Sequence, residues 1–302
     1  MKKLTDEKIE LIKKTIGAGN VMEEEPMKLH TSMEVGGPAA YFFTPETEED
    51  LAFVVKTLTA ENYPFYLKGN GSNIIVKDEG YDGAIVETRK LRNVTIDGTT
   101  VTAQAGILLK DLSDMILAAS LTGFEFASGI PGSLGGAVCM DAGAYDGEMR
   151  DIIKTVKLLD KEGNIVEKTN EEMDFAYRHS CCSDGSYIVL SAVLELKEGN
   201  YDEIRAKIDD LTAKREEKQP LEYPSCGSTF KRPEGYFAGK LITDAGLKGY
   251  QLGGAQVSDK HAGFVINKDH ATATEILDLI AHVQEEVEKQ FGVKLECEVK
   301  VL

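Results

Sequence analysis

The stretch GIPGSLGGAVCMDAGAYDGEM, residues 129–149, places six glycines and three alanines in 21 positions. Ordinary turns rarely need glycine at that density. Backbone lying flat along a bound ligand does, because a residue without Cβ lets main chain and ligand approach closely. A second segment, LKGNGSNIIV (67–76), sets Gly69 and Gly71 between two apolar strands, with Asn70, Ser72 and Asn73 beside them. Successive N–H groups in such a turn form a concavity suited to phosphate. It is not a Walker loop, since no GK[ST] follows, and Ile74 stands where GxGxxG needs its third glycine. Alone it reads as an Asn-Gly hairpin turn. Together the two segments point to a large, extended, phosphate-bearing cofactor held mainly by main chain.

The rest of the chain supplies an α+β scaffold around those segments. At 302 residues it is too long for one typical core and divides into two or three modules. The patterning predicts a helix over 6–17, a strand at Tyr41–Thr44, and a helix capped by Thr47 with acids in its first turn. Strands follow at Phe65–Leu67 and Ile74–Val76, then a hairpin about Asp97-Gly98 and a helix over 109–120. After the glycine-rich segment comes a second hairpin, IIKTVKLLD-KEGN-IVEKT, a strand YIVLSAVLELK and the charged helix YDEIRAKIDDLTAKREEK. The main boundary is placed near residue 200. Beyond it the pattern predicts a helix over about 236–246, a strand over 263–267 and a long helix over 273–291. That long helix carries Ile276, Ile280, Val283, Val287 and Phe291 on one face. The terminal LECEVKVL alternates as an edge strand, with Leu295, Cys297 and Val299 on one side and Glu296, Glu298 and Lys300 on the other.

Net charge narrows the partners. At −17 and a pI near 4.8, the chain does not suit nucleic acid or an anionic membrane surface, and no apolar run is long enough to span a bilayer. An acidic protein that handles an anion must gather its cations locally. The amphipathic start is not a signal peptide, and five cysteines without CxxC or zinc-like spacing predict reduced thiols, a cytoplasmic site and no metal.

Three places carry groups able to do chemistry. In FAYRHS (175–180), Arg178 could meet a carboxylate or phosphate bidentately, although a surface arginine is the plainer reading. In YPSCGSTFKRPEG (223–235), Cys226 could be a nucleophile but has no recognisable base, and lone cysteines commonly serve as small buried apolar groups. Ser228 precedes two cations, Lys231 and Arg232, that could clamp an anionic substrate and favour proton donation from the hydroxyl. An ordinary turn serine explains this stretch equally well.

Seven segments in this order and spacing resemble the UDP-N-acetylenolpyruvoylglucosamine reductases: the two glycine-rich segments, YRHS, CGSTFKRP, AGKLITDAGLKG, GGAQVSDKHAGFVIN and LECEVKVL. The chain is similar to the shorter form of the family, which lacks a substrate-capping insertion. The resemblance implies an FAD-binding unit of the vanillyl-alcohol-oxidase (PCMH) type made of two α+β subdomains, 1–90 and 91–200. A C-terminal α+β substrate-binding domain, 201–302, completes it. It implies FAD and NADPH as cofactors and the enolpyruvyl ether of UDP-N-acetylglucosamine as substrate, reduced to UDP-N-acetylmuramate for peptidoglycan. By position, Ser228 matches the proton donor, and Arg178 and Glu298 the other catalytic residues. Glu298 rather than Glu296 is chosen as the acid directly before Val299.

The same resemblance assigns cofactor contacts to Gly69, Asn70, Gly71, Ser72, Asn73, Gly129, Ile130, Pro131, Gly132, Ser133, Gly136 and Gly143. Substrate contacts fall to Lys231, Arg232, Lys260 and His261, and a monomer is expected. Two departures stand out: Asp141 replaces the usual asparagine, and Lys300 the usual arginine. The rival readings are another FAD-dependent oxidoreductase with a different substrate domain, and a nucleotide-binding protein without redox chemistry.

Overall fold

The computed structural model describes residues 3–302. Two compact units are formed: one from the residues up to Glu23, Tyr41–Asn70 and Asp82–Lys214, the other from Glu24–Ala40, Gly71–Tyr81 and Arg215–Leu302.

The helix Asp6–Ile16 starts at Thr5, whose hydroxyl accepts from the Lys8 amide, and buries Ile9, Ile12 and Ile16. A four-stranded sheet follows in the order Val21–Pro26, Pro38–Phe43, Tyr81–Glu87, Phe65–Lys68. The helix Glu48–Ala60 crosses between strands Pro38–Phe43 and Phe65–Lys68, burying Leu51, Val54, Val55 and Leu58. Thr47 caps it as expected, accepting from the Asp50 amide at 3.1 Å. Strands Phe65–Lys68 and Tyr81–Glu87 are parallel, which sets Lys68 in register with Glu87.

A five-stranded antiparallel sheet carries the rest of the first unit, ordered Ile165–Thr169, Ile153–Asp160, Tyr187–Glu195, Thr100–Gln104, Val94–Asp97. Both predicted hairpins are present in it. One face supplies Val101, Ala103, Val156, Leu158, Ala192 and Leu194 to a core shared with the helices Leu109–Ala118 and Leu134–Cys139. The opposite face is polar, as alternation along a half-covered antiparallel sheet requires. It floors a cleft of about 350 Å³ lined by Glu48, Thr95, Thr102, Lys157 and Ser191 among others, and none of the predicted site residues lines it.

In the second unit the helix Ala273–Phe291 runs over the predicted span. Its start is a capping box between Thr272 and Glu275, and Gly292, at φ +68°, ends it. Asp78 also accepts from the amides of Ala273 and Thr274 at 2.9 and 2.8 Å. Ile276, Leu279, Ile280, Val283 and Val287 are buried, whereas Phe291 is 39% exposed. The apolar face therefore ends one turn earlier than the pattern predicts. The helix packs on a three-stranded sheet, Gln251–Leu252, Ala255–Val257 and Val265–Asn267, and on the helix Ala238–Asp244.

The terminal segment meets two partners in succession: Phe230 bridges Cys297, and Lys300–Val301 then pairs in parallel with Ile74–Ile75, leaving it an edge of a two-stranded sheet. No helix among the described residues is long and apolar enough to cross a membrane.

Candidate functional site

Gly69 and Asn70 meet the second glycine-rich segment within the first unit. Asn70 Nδ2 donates to the carbonyl of Pro131 at 2.7 Å, and the backbone of Gly69 lies against the Ser133 hydroxyl, where a side chain has no room. Ser133 is 1% exposed, and its Oγ has no hydrogen-bond partner. A buried hydroxyl without a partner calls for an explanation, and in a backbone cradle a ligand oxygen is one that fits. The segment is held rigidly from behind: Leu109 N–H donates to Gly132, Leu134 N–H to Ile107, and Gly135 N–H to Ala105 at 2.8 Å. Ile130 packs on the core, while Pro131 and Gly136 are exposed. Gly143 pairs with Glu148 in the short hairpin that ends the segment. Gly71, Ser72 and Asn73 belong to the second unit.

Asp141 is buried in this segment at 1% exposure, with φ +45°. Its Oδ1 accepts from the Arg150 amide at 2.9 Å, and Oδ2 lies 3.4 Å from Arg150 Nε without forming a hydrogen bond. Burial pushes its carboxyl above the ordinary aspartate range, against the opposing pull of Arg150.

Arg178 occupies the tip of a tight turn closed by Ala176 N–H to His179 C=O and His179 N–H to Ala176 C=O, at 3.1 and 2.9 Å. Its φ of +57° is a left-handed conformation that an arginine adopts at a cost of about 1–3 kcal/mol. The guanidinium carbon sits 4.9 Å from the Tyr177 ring centre. Behind the turn, Ser180 and Ser183 hydroxyls both donate to Cys139 C=O, at 2.7 and 3.2 Å, fastening it to the glycine-rich segment.

In the second unit the 223–235 loop separates its thiol from its hydroxyl. Cys226 is 5% exposed, its Sγ donates to Ile74 C=O at 3.3 Å, and burial pushes the thiol up to about 12. Such a thiol stays protonated and is no nucleophile. Gly227, at φ +73°, reverses the chain so that Ser228 is exposed while Thr229 turns inward, accepting from Val265 N–H at 3.0 Å. Glu298 N–H donates to Thr229 C=O, and Lys231 N–H to Glu296 C=O, both at 2.9 Å. Asn73 Nδ2 donates to Glu298 C=O at 3.2 Å, joining a predicted cofactor residue to a predicted catalytic one. The two acids differ: Glu296 is exposed and ion-paired with Lys231, whereas Glu298 is half-buried.

Arg232 stacks on Phe237 with its guanidinium carbon 4.0 Å from the ring centre. His261 Nδ1 accepts from Gly263 N–H at 3.1 Å, so its neutral ring carries the proton on Nε2, and burial depresses its pKa. Lys260 and His261 amides both donate to the Ser258 hydroxyl, and Lys260 Nζ lies 3.7 Å from Glu222. Arg178 thus belongs to the first unit, and Ser228, Glu298, Lys231, Arg232, Lys260 and His261 to the second. Sequence reasoning missed Lys68, buried directly before Gly69. The available signal was a lysine ending one apolar strand and a glutamate ending its parallel partner.

Comparisons with known proteins agree on both halves. A family model described as FAD binding domain matches residues 39–169, and one described as UDP-N-acetylenolpyruvoylglucosamine reductase, C-terminal domain, matches 219–302. A UDP-N-acetylenolpyruvoylglucosamine reductase of Clostridioides difficile (strain 630) is 54% identical over 284 residues, covering 94% of this chain and 93% of the relative. Another, from Clostridium perfringens (strain SM101 / Type A), is 53% identical over 283 residues, with the same shares covered. The crystal structure of UDP-N-acetylenolpyruvylglucosamine reductase (MurB) from Thermus caldophilus aligns with a TM-score of 0.80 at 34% identity, covering 93% of this chain and 97% of that one.

Proposed function

The chain belongs to the UDP-N-acetylenolpyruvoylglucosamine reductases, the MurB family, and from that premise we propose how its own residues carry the reaction. It is an FAD-containing oxidoreductase that reduces UDP-N-acetylenolpyruvoylglucosamine with NADPH. The first unit suits FAD, with a backbone cradle at Gly69 and an unsatisfied Ser133 hydroxyl beside it. FAD, when bound, supplies the hydride that adds to the methylene carbon of the enol ether.

Residues 69–73 and 129–133, with Gly136 and Gly143, would hold the FAD, mainly through main chain. Arg178 stabilises the negative charge pushed toward the substrate carboxylate. Ser228 donates the proton to the adjacent carbon, and Glu298 orients and polarises the groups around it. Lys231, Arg232, Lys260 and His261 grip the UDP-sugar. Lys231 does so by exchanging Glu296 for a phosphate, one exposed ion pair for another. The pairing of Glu298 N–H with Thr229 C=O, at 2.9 Å, carries this assignment, because it fixes Ser228's neighbour beside the acid.

We also propose a cytoplasmic monomer that binds no nucleic acid, consistent with a net charge of −17. The three-part division into 1–90, 91–200 and 201–302 is supported by one main sheet lying within each part. Compactness cuts across it, since 24–40 and 71–81 group with the C-terminal unit and 201–214 with the first.

An absorbance spectrum tests the whole reading. Flavin bands are expected in the purified protein, bleached by NADPH and restored by the enolpyruvyl sugar nucleotide. A colourless protein that takes up no FAD overturns it. NADPH oxidation indifferent to that substrate leaves a flavoenzyme of other specificity.

A further inference from the structure

Lys68 is buried where lysine is rarely buried: its side chain is 2% exposed at the end of strand Phe65–Lys68. Its ammonium donates to the Glu87 carboxylate and, at 3.1 Å, to the carbonyl of Gly69, and it lies 5.7 Å from the centre of the Phe42 ring. Burial lowers its pKa, Glu87 raises it, and the nearby charge of Arg89 lowers it again. Arg89 in turn donates to Gly106 C=O at 3.0 Å. Lys68 is therefore ion-paired with Glu87 directly before the glycine loop, with the charge of Arg89 near enough to be felt, in a chain whose net charge is −17. Stability alone gives no reason for this arrangement, since an apolar pair of similar volume does as well as a buried ion pair or better.

Peptide geometry supplies a reason. The Gly69 carbonyl and the Asn70 N–H belong to one planar, trans peptide and point in opposite directions. With the carbonyl drawn onto a buried ammonium, the Asn70 N–H is aimed away from the protein interior. Asn70 is also the residue whose side chain clasps Pro131 of the second glycine-rich segment.

We propose that Lys68 is a positioning residue for the cofactor's diphosphate. It acts through the Gly69 carbonyl to aim the loop's amide, and its ammonium adds positive charge next to the loop. Glu87 holds the ammonium in place and subtracts from that charge. The inference rests on the FAD reading above and adds the source of the loop's orientation.

The test is flavin release from holoenzyme, followed by flavin fluorescence on dilution at mildly acid pH, for wild type, Lys68→Met, Glu87→Gln and the double variant. A charged-donor hydrogen bond and its field are lost in Lys68→Met, so release at least about tenfold faster is expected. Glu87→Gln should release no faster than wild type at this pH, because acid keeps Lys68 protonated and the glutamine oxygen still accepts from it while the counter-charge goes. The double variant leaves no unpaired carboxylate and should still release at least about tenfold faster than wild type. Wild-type release from Lys68→Met or the double variant overturns the proposal. Equal acceleration in Lys68→Met and Glu87→Gln also overturns it, by making the pair a structural brace. A wild-type protein purified without flavin, and unable to take it up, removes the FAD reading and this inference together.

Discussion

The Ser133 hydroxyl occupies the space in which Gly69 would carry a side chain, 2.1 Å from the Cβ position, with Ser133 Cβ at 3.3 Å. Two segments far apart in sequence therefore meet at a contact only glycine permits. Gly69→Ala forces the segments apart, at about 1–3 kcal/mol, the usual range for overpacking. Lower flavin content and a lower melting temperature are expected. Combining it with Ser133→Gly should recover most of the lost melting temperature, which is the steric part of the loss, but not the flavin content. Equal flavin content in Gly69→Ala and wild type would mean that the contact does not shape the cofactor site.

Ser228 and Cys226 are two residues apart and chemically opposite in setting. Ser228→Ala should leave flavin reduction by NADPH at its normal rate and slow reoxidation by substrate roughly 10²–10⁴-fold. Stopped-flow measurement of the two half-reactions separates these outcomes. Cys226, protonated and buried, should tolerate Cys226→Ser with most activity retained and resist alkylation in the folded enzyme. Abolished turnover in that variant would restore the thiol to consideration.

Glu296 and Glu298 lie on one short segment but answer to different surroundings. Glu296 forms an exposed ion pair with Lys231, worth about 0–1 kcal/mol. Glu296→Gln should therefore keep near-normal kcat, with at most a modest rise in KM. Glu298→Gln should lower kcat roughly 10²-fold or more. Steady-state kinetics on both variants decides the choice, and a reversed order would move the catalytic acid to 296.

Asp141 gives the protein a pH-dependent cost. Its folded-state pKa is raised by burial, so the stability linked to it is complete below the unfolded aspartate value and is lost as pH rises through the folded one. Asp141→Asn carries no such titration. The variant should match or exceed wild type in stability at neutral pH, by on the order of 1 kcal/mol, the scale of one poorly satisfied buried polar group, and melt correspondingly higher. That advantage should shrink as pH falls toward about 4, the ordinary aspartate range. An advantage that grows on acidification would show that the carboxylate is stabilised in the fold.

Legibility followed the range of the interaction. The Thr47 cap, both hairpins and the helix Ala273–Phe291 rest on neighbours in sequence, where propensity and periodicity operate. The same rules place a helix over 236–246, but it forms only from Ala238 to Asp244, between left-handed glycines at 235 and 246. Long-range pairing left no local trace. Nothing in LECEVKVL signals that Lys300–Val301 joins Ile74–Ile75 or that Glu298 lies beside the serine loop. Only the resemblance joined Arg178, Ser228 and Glu298. Burial of Lys68 was hidden because a lysine at a strand end ordinarily reaches solvent.

That pairing near Asn73 also sets a schedule. Lys300 N–H donates to Asn73 C=O at 3.0 Å, and Glu298 C=O accepts from the Asn73 side chain across 225 residues of sequence. A ribosome adding roughly 5–20 residues per second makes that partner about 11–45 s after Asn73 itself. During the interval Ile74 and Ile75 have no neighbouring strand, and Asn73 lacks both of its C-terminal partners. The setting of Asn73 is therefore completed late in the life of the nascent chain, after nearly all of it has been translated.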